Sequence, residues 1–358
     1  MTLAVNRKAI RSLRVGIVPS SHVLNLTVGI DPHHETLDKE FRRLKKGFSR
    51  PFVIRGEWGG GKTNLLCYIR EYALKQKVAV AYINLNGRSA AINHPQKLYH
   101  RIVADIRLPG LEDNGITRLL GSIKKDSSLE RKTSEWVSLL GHHSELAQAL
   151  GLFINEDINK DYYWSFKVIL GSDLYWAEYN YKKVKAIKRL NDLGGYLKHL
   201  GYAGLMIQFD ELESVVQLWN IVSRRSAYKT LHHLTSLENV WTVFATTKKL
   251  NSQIDADVKS GRIRTAEAES FVTRYFDFPV LAPPSLSQEY ANTLLSRILE
   301  LYKEAYEVSQ EIRLQEVLDL WNKMPFRNPR RLIRLAIDHL DRHRLEAKGK
   351  KSLALQQC

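Results

Sequence analysis

One stretch constrains this chain more than any other: Gly56-Glu57-Trp58-Gly59-Gly60-Gly61-Lys62-Thr63. It reads G-x-x-x-x-G-K-T, the pattern of a phosphate-binding loop. Its flanks suit that reading. Phe52-Val53-Ile54 predicts a short buried strand before the loop, and Asn64 to Arg70 predicts a helix with an apolar face after it. Glycines let backbone N–H groups close round phosphate, and the positive end of the helix favours the negative charge. Lys62 is then placed to reach β- and γ-phosphates, and the Thr63 hydroxyl to hold Mg²⁺. The competing reading, a glycine turn with a solvated lysine, leaves the flanking strand and helix unexplained.

A second signal lies far downstream. Gly204-Leu205-Met206-Ile207-Gln208-Phe209 is an apolar strand, interrupted by Gln208, that runs straight into Asp210-Glu211. Strand ends present their side chains at the carboxyl edge of an open α/β sheet, where nucleotides bind. An adjacent acid pair is common, but here it follows a buried strand downstream of a phosphate loop. The expected roles are Mg²⁺ for Asp210 and activation of the attacking water for Glu211.

Other strands are expected at Val78 to Asn84, at Val240 to Ala245 with Thr246-Thr247 at its tip, and at Tyr275 to Phe278. A helix from Glu35 to Lys46 ends in the basic run Arg42, Arg43, Lys45 and Lys46, continued past Gly47 by Arg50, which suits either DNA contact or a solvated face. Residues 96–200 read as mostly helical: Gln96 to Ile106, Arg131 to Leu150 and Tyr162 to Leu200. That is too long for one crossover and predicts a helical insertion. It interleaves Tyr179 and Tyr181 with Lys182, Lys183, Lys185, Lys188 and Arg189, a mixture that suits nucleic acid or an ordinary packed helix equally. Pro283-Pro284-Ser285 marks a boundary, and the remainder is helical, broken at Met324-Pro325. The expected division is a helical lead-in at 1–50, a nucleotide-binding core at 51–283, a helical lid at 284–346 and a flexible tail at 347–358.

Composition narrows the function. The chain has 358 residues, of which 44% are hydrophobic, as a globular core requires. A net charge of +16 points to a polyanionic partner, nucleic acid first. No apolar run nears the roughly 18 residues of a membrane span, and Met1 to Arg14 lacks the apolar stretch of a signal peptide. Two cysteines, Cys67 and Cys358, build neither a disulfide framework nor a zinc cluster, so the cytoplasm is expected. Adjacent residues of a helix point apart, so the pairs His33-His34, His142-His143 and His232-His233 read as ordinary histidines rather than ligands of one metal.

Taken together, these parts resemble an AAA+ P-loop ATPase of the ORC/Cdc6-like group. That implies an α/β fold with a parallel five-stranded sheet, a helical insertion and a C-terminal helical lid, with ATP and Mg²⁺ as cofactors. Val28-Gly29-Ile30-Asp31 is similar to the segment bordering the adenine. Gly56, Glu57, Trp58, Gly59, Gly60, Gly61, Lys62, Thr63 and Asn64 resemble the Walker A loop, and Asp210-Glu211 the Walker B acids. Thr246 or Thr247 falls at the sensor-1 position. Arg330, in Asn328-Pro329-Arg330-Arg331, resembles the sensor-2 arginine. Arg274, in Thr273-Arg274-Tyr275, resembles an arginine finger, which implies a homo-oligomer. A closer resemblance is to the BrxD-like ATP-binding protein of BREX-type phage-defence loci. It is carried by Ala9 to Pro19, by the Gly-Glu-aromatic opening of the loop, by Asp210-Glu211-Leu212-Glu213-Ser214 and by Arg225-Ser226-Ala227-Tyr228. It implies ATP hydrolysis with or on DNA, and other proteins of the defence locus as partners. Two further readings stay open: a nucleotide-gated scaffold with little turnover, and a DNA-loading or transposition-regulator ATPase.

Overall fold

The computed structural model describes residues 3–85, 92–111, 115–155, 160–175, 179–308, 312–325 and 327–356. Five strands form one sheet: β1 (Phe52–Arg55), β2 (Ala79–Asn84), β3 (Leu205–Asp210), β4 (Val240–Thr246) and β5 (Val280–Leu281). All pairings are parallel and the order is β2-β3-β4-β1-β5. Every residue of β3 and β4 is buried, which is why both read as near-continuous apolar runs. One strand, β4, separates the strand entering the glycine loop from the strand carrying the acid pair. In register, Arg55 lies opposite Thr246 and Asn84 opposite Asp210, so these strand tips share the carboxyl edge.

The chain forms two compact units, each discontinuous in sequence, whereas the sequence alone suggests linear segments. The sheet unit holds residues 35–56 and 72–282. Its helices are most of α3 (Asp31–Lys45), the end of α4 (Lys62–Lys75), α5 (Pro95–Asp105), α6 (Gly115–Ile123), α7 (Ser127–Leu140), α8 (Glu145–Asn155), α9 (Lys160–Leu170), α10 (Tyr179–His199), α11 (Ile221–Leu234), α12 (Lys248–Lys259) and α13 (Ala266–Tyr275). One apolar core joins the strands to the helices of the insertion, with Ile207, Phe209, Phe244, Leu119, Leu150 and Leu190 among its members. Arg189 is buried there at the centre of a polar cluster. It forms a bidentate pair with Asp173, bonds Glu145 and donates to the Val168 carbonyl, so the charge is fully matched.

Three expectations are corrected in this unit. The segment Arg131 to Leu150 is two helices, α7 and α8, broken at Gly141. Tyr162 to Leu200 is α9, a 3₁₀ turn at Ser172–Tyr175 and α10, rather than one stretch. The last strand is not Tyr275 to Phe278. Tyr275 closes α13, buried among Phe271, Phe276 and Phe278, and β5 follows Pro279 as two residues beside Val53 and Ile54. The side chains of Tyr179, Tyr181, Lys182 and Lys183 lie outside the described residues.

The helical unit holds residues 1–34, 57–71 and 283–358. It contains α1 (Leu3–Arg14), α2 (Val23–Leu26), the first turns of α4, and α14 (Gln288–Tyr306), α15 (Gln315–Asn322) and α16 (Pro329–Gln356). Ile10 and Leu13 of α1 pack in one core with Leu294, Ile298, Leu332 and Ile337. Arg14 makes a bidentate pair with Asp341 at 2.7 and 2.9 Å, and Arg7 donates to the Ala305 carbonyl. Burial pushes the Asp341 carboxyl up, but hydrogen bonds from Arg14 and Tyr302 outweigh it and leave the group below its ordinary range. Among the described residues no helix is long and apolar enough to cross a membrane.

Candidate nucleotide site

The glycine loop has the backbone that its sequence demands. Gly61 has φ +94°, a left-handed conformation that side chains rarely adopt, and α4 begins at the next residue, Lys62. Gly59 is also left-handed, at φ +76°. The Gly60 amide donates to the Glu57 carbonyl at 3.0 Å, closing a tight turn, and the Leu65 amide donates to Gly61 at 2.9 Å as the helix takes over. Lys62 is buried, and its Nζ donates back to the Glu57 carbonyl at 3.3 Å, so the ammonium is held within the curve of the loop. Thr63 and Asn64 occupy the first turn, and Asn64 Nδ2 donates to Thr27 Oγ1 at 3.1 Å. Trp58 projects outwards, 81% exposed. A concave run of backbone at a helix N-terminus with one lysine folded over it suits phosphate on chemical grounds.

Three further expected residues lie in the same helical unit. Val28 packs against its core. Gly29 has φ +71°, and a Cβ there would sit 2.8 Å from the Tyr290 ring and 3.0 Å from Pro284. Glycine at this position lets the Val28-Gly29 segment press on the start of α14. Arg330 is exposed in the first turn of α16, with its stem against the turn at Gly16.

The remaining expected residues lie in the sheet unit. Asp210 is 1% exposed at the end of β3. Its Oδ2 accepts from the Tyr82 hydroxyl at 2.8 Å and its Oδ1 from the Glu211 amide at 2.9 Å, so the carboxylate is fixed in orientation. Glu211 is left-handed, at φ 59° and ψ 43°, which for a non-glycine residue costs on the order of 1 kcal/mol. That turn ejects the chain from the strand into a 3₁₀ segment, Leu212–Gln217. Gly56 donates its amide to the Thr246 carbonyl at 3.3 Å, which places the loop entrance beside the tip of β4. The Thr246 hydroxyl is spent on the Thr247 carbonyl. The Thr247 hydroxyl is buried and has no hydrogen-bond partner among the described residues. Arg274 is exposed in the last turn of α13.

Comparison with known proteins decides the family. The family model of the BREX system ATP-binding protein BrxC/D matches residues 3–131 and 180–356, most of the chain. The chain belongs to this family. No curated protein matches it. As a BREX ATP-binding protein it has an ATP-binding role in phage defence. The match omits 132–179, which carries most of α7, α8, α9 and the following 3₁₀ turn within the helical insertion.

Sequence reasoning missed Tyr82 in this BREX protein. It sits opposite Gln208, two residues before the position facing Asp210, and residues two apart share a face of the sheet. The signal was present: Tyr82 and Gln208 are the polar interruptions of two apolar strands. Of the segment Arg225-Ser226-Ala227-Tyr228, Tyr228 proves structural. Its hydroxyl donates to Asp257 at 2.9 Å, beside a bidentate pair from Arg224 that joins α11 to α12.

Proposed function

We propose that this BREX protein is a Mg²⁺-dependent ATPase acting with DNA in anti-phage defence. The observation that carries the reading is the loop: left-handed Gly59 and Gly61, a turn closed on Glu57, and a helix opening at Lys62. The donor chemistry suits the cofactor: Thr63 of the helical unit offers a hydroxyl, and Asp210 of the sheet unit offers a carboxylate oriented by Tyr82, both hard oxygens of the kind Mg²⁺ takes. These residues would hold Mg²⁺, which would supply charge neutralisation on phosphate oxygens. Lys62 supplies the compensating positive charge from the loop, and the loop amides orient phosphate. Glu211, turned out of the strand by its left-handed backbone, accepts the proton of the attacking water. Val28 and Gly29 border the base. Thr247, with its unspent hydroxyl, is the better residue for a polar contact at the β4 tip than Thr246. Arg330 reads the γ-phosphate. Arg274, exposed on α13, serves a second copy of the chain, and the basic surface serves DNA. The cytoplasm and other proteins of the defence locus complete the proposal.

The test is steady-state ATP hydrolysis by the wild type and Lys62→Ala, each with and without duplex DNA. The expected outcome is turnover by the wild type, raised by DNA, and a loss of about 100-fold in Lys62→Ala, the scale of removing one aligned charge from a transition state. Wild-type protein that binds ATP but never turns it over contradicts the ATPase reading.

A further inference from the structure

The amino edge of the sheet carries a second constellation. Helix α3 ends at Lys45, Lys46 follows, and the chain crosses to β1 through Gly47-Phe48-Ser49-Arg50. This crossing is tied to the approaches of the other strands. The Asn239 amide, just before β4, donates to the Gly47 carbonyl at 3.3 Å, and Lys198 Nζ donates to Asn239 Oδ1 at 3.0 Å. A Cβ at Gly47 would lie 3.0 Å from that same ammonium. The Ala203 amide donates to the Lys77 carbonyl at 2.8 Å, bringing the β2 and β3 approaches together. Lys45, Lys46, Arg50, Lys77 and Lys198 therefore share one edge, all but Lys198 exposed. Glu40 on α3 is buried and engaged by Arg43, so it does not neutralise them. Arg50 Nη2 donates to the Asp277 carbonyl at 3.2 Å, and Glu238 precedes Asn239 in the chain. Phe48, in the crossing between Lys46 and Arg50, is 73% exposed.

A single exposed phenylalanine is ordinary, and so is a solvated lysine. Their combination on a fixed edge is less so. A docked acidic protein would call for a broader apolar patch around the ring. Here one exposed ring lies in a crossing flanked by Lys45, Lys46 and Arg50, which suits a chain of phosphates with an unpaired base stacked on the ring. Duplex bases are stacked on one another and closed to such a ring. The same unit carries Asp210 and Glu211 at its opposite, carboxyl edge, so anion binding here does not compete with the acid pair.

We propose that the amino edge of the sheet, with Phe48 as stacking platform and Lys45, Lys46, Arg50, Lys77 and Lys198 as phosphate contacts, binds single-stranded DNA. This deepens the DNA-acting reading above and rests on it. The experiment is fluorescence anisotropy of labelled oligothymidylate and of a duplex of equal length, across a salt series, with the full chain. The proteins are wild type, Phe48→Ala and the triple variant Lys45→Ala/Lys46→Ala/Lys77→Ala. DNA-independent ATP binding, unchanged in all three, shows that they are folded. Phe48→Ala weakens oligothymidylate binding about tenfold and leaves the duplex unaffected. The triple variant reduces the slope of log affinity against log salt by about 2, at roughly 0.7 for each single-strand phosphate that it no longer neutralises. Wild-type binding that either variant leaves untouched overturns the assignment of this edge while the DNA-acting reading stands. Polyglutamate competing as well as oligothymidylate, with Phe48→Ala silent, overturns it in favour of an acidic-protein surface. No DNA binding by the wild type, with or without ATP, overturns both.

Discussion

The two edges of the parallel sheet are built on opposite principles. At the carboxyl edge, Asp210 is buried and gripped by Tyr82 and by the Glu211 amide, and Thr246 is held by its neighbour and Gly56, which leaves the Thr247 hydroxyl unspent. At the amino edge, Lys45, Lys46, Arg50 and Lys77 are exposed, as is Phe48. A fixed carboxylate costs no reorganisation when charge develops beside it, which is what catalysis asks. Solvated lysines adapt to a polymer whose register varies, which is what strand binding asks. On the proposed reading, the difference teaches that one sheet can keep chemistry and capture apart, the first at an edge of fixed carboxylates and the second at an edge of exposed cations.

That comparison can be broken or sharpened by substitution. The largest effect belongs to the carboxyl edge. Glu211→Gln removes the carboxylate proposed to activate water and is expected to cut turnover about 100-fold or more while ATP stays bound. Loss of ATP binding instead would mean that Glu211 holds the nucleotide rather than the water. Tyr82→Phe comes next. It removes only the hydroxyl that orients Asp210, and should raise the Mg²⁺ needed for half-maximal turnover about tenfold, the scale of removing a support from a metal ligand. An unchanged Mg²⁺ titration would leave Tyr82 a packing residue. The smallest effect on chemistry is expected at the amino edge: the Lys45/Lys46/Lys77 triple variant should leave DNA-free turnover unchanged. A fall there would show that the edges are not independent.

A control lies in the helical unit. Asp341→Asn strips the bidentate partner from Arg14 and should cost about 1–3 kcal/mol in denaturant unfolding. Because the folded-state pKa of Asp341 is depressed, its contribution is complete above the unfolded carboxyl's value of about 4 and is lost as pH falls through the folded value below that. Wild type and Asp341→Asn should therefore converge in stability in strong acid. A stability difference that persists at the lowest pH would assign the effect to packing rather than charge.

Much of this architecture was legible in the sequence because it rests on local signals. The glycine loop needs left-handed backbone that only glycine takes cheaply. The strands β2, β3 and β4 are doubly covered and hence apolar. What was illegible depends on tertiary context. The aromatic alternation Tyr275 to Phe278 mimics a strand, but those rings close a helix because Tyr275 is buried against Phe271, and β5 is too short to leave a pattern. Nothing in Leu3 to Arg14 announces that α1 would join helices some 300 residues away, since Ile10 and Leu13 look the same whatever covers them. The acid pair was readable, while its support by Tyr82 required the register of two strands to be known.

The most direct test of the central claim is single-turnover ATP hydrolysis by Glu211→Gln beside wild type, with bound ATP quantified in both. Equal occupancy with hydrolysis lost in the variant is the predicted result and assigns the chemistry to the end of β3. Equal occupancy with equal hydrolysis would contradict it and remove Glu211 from the reaction.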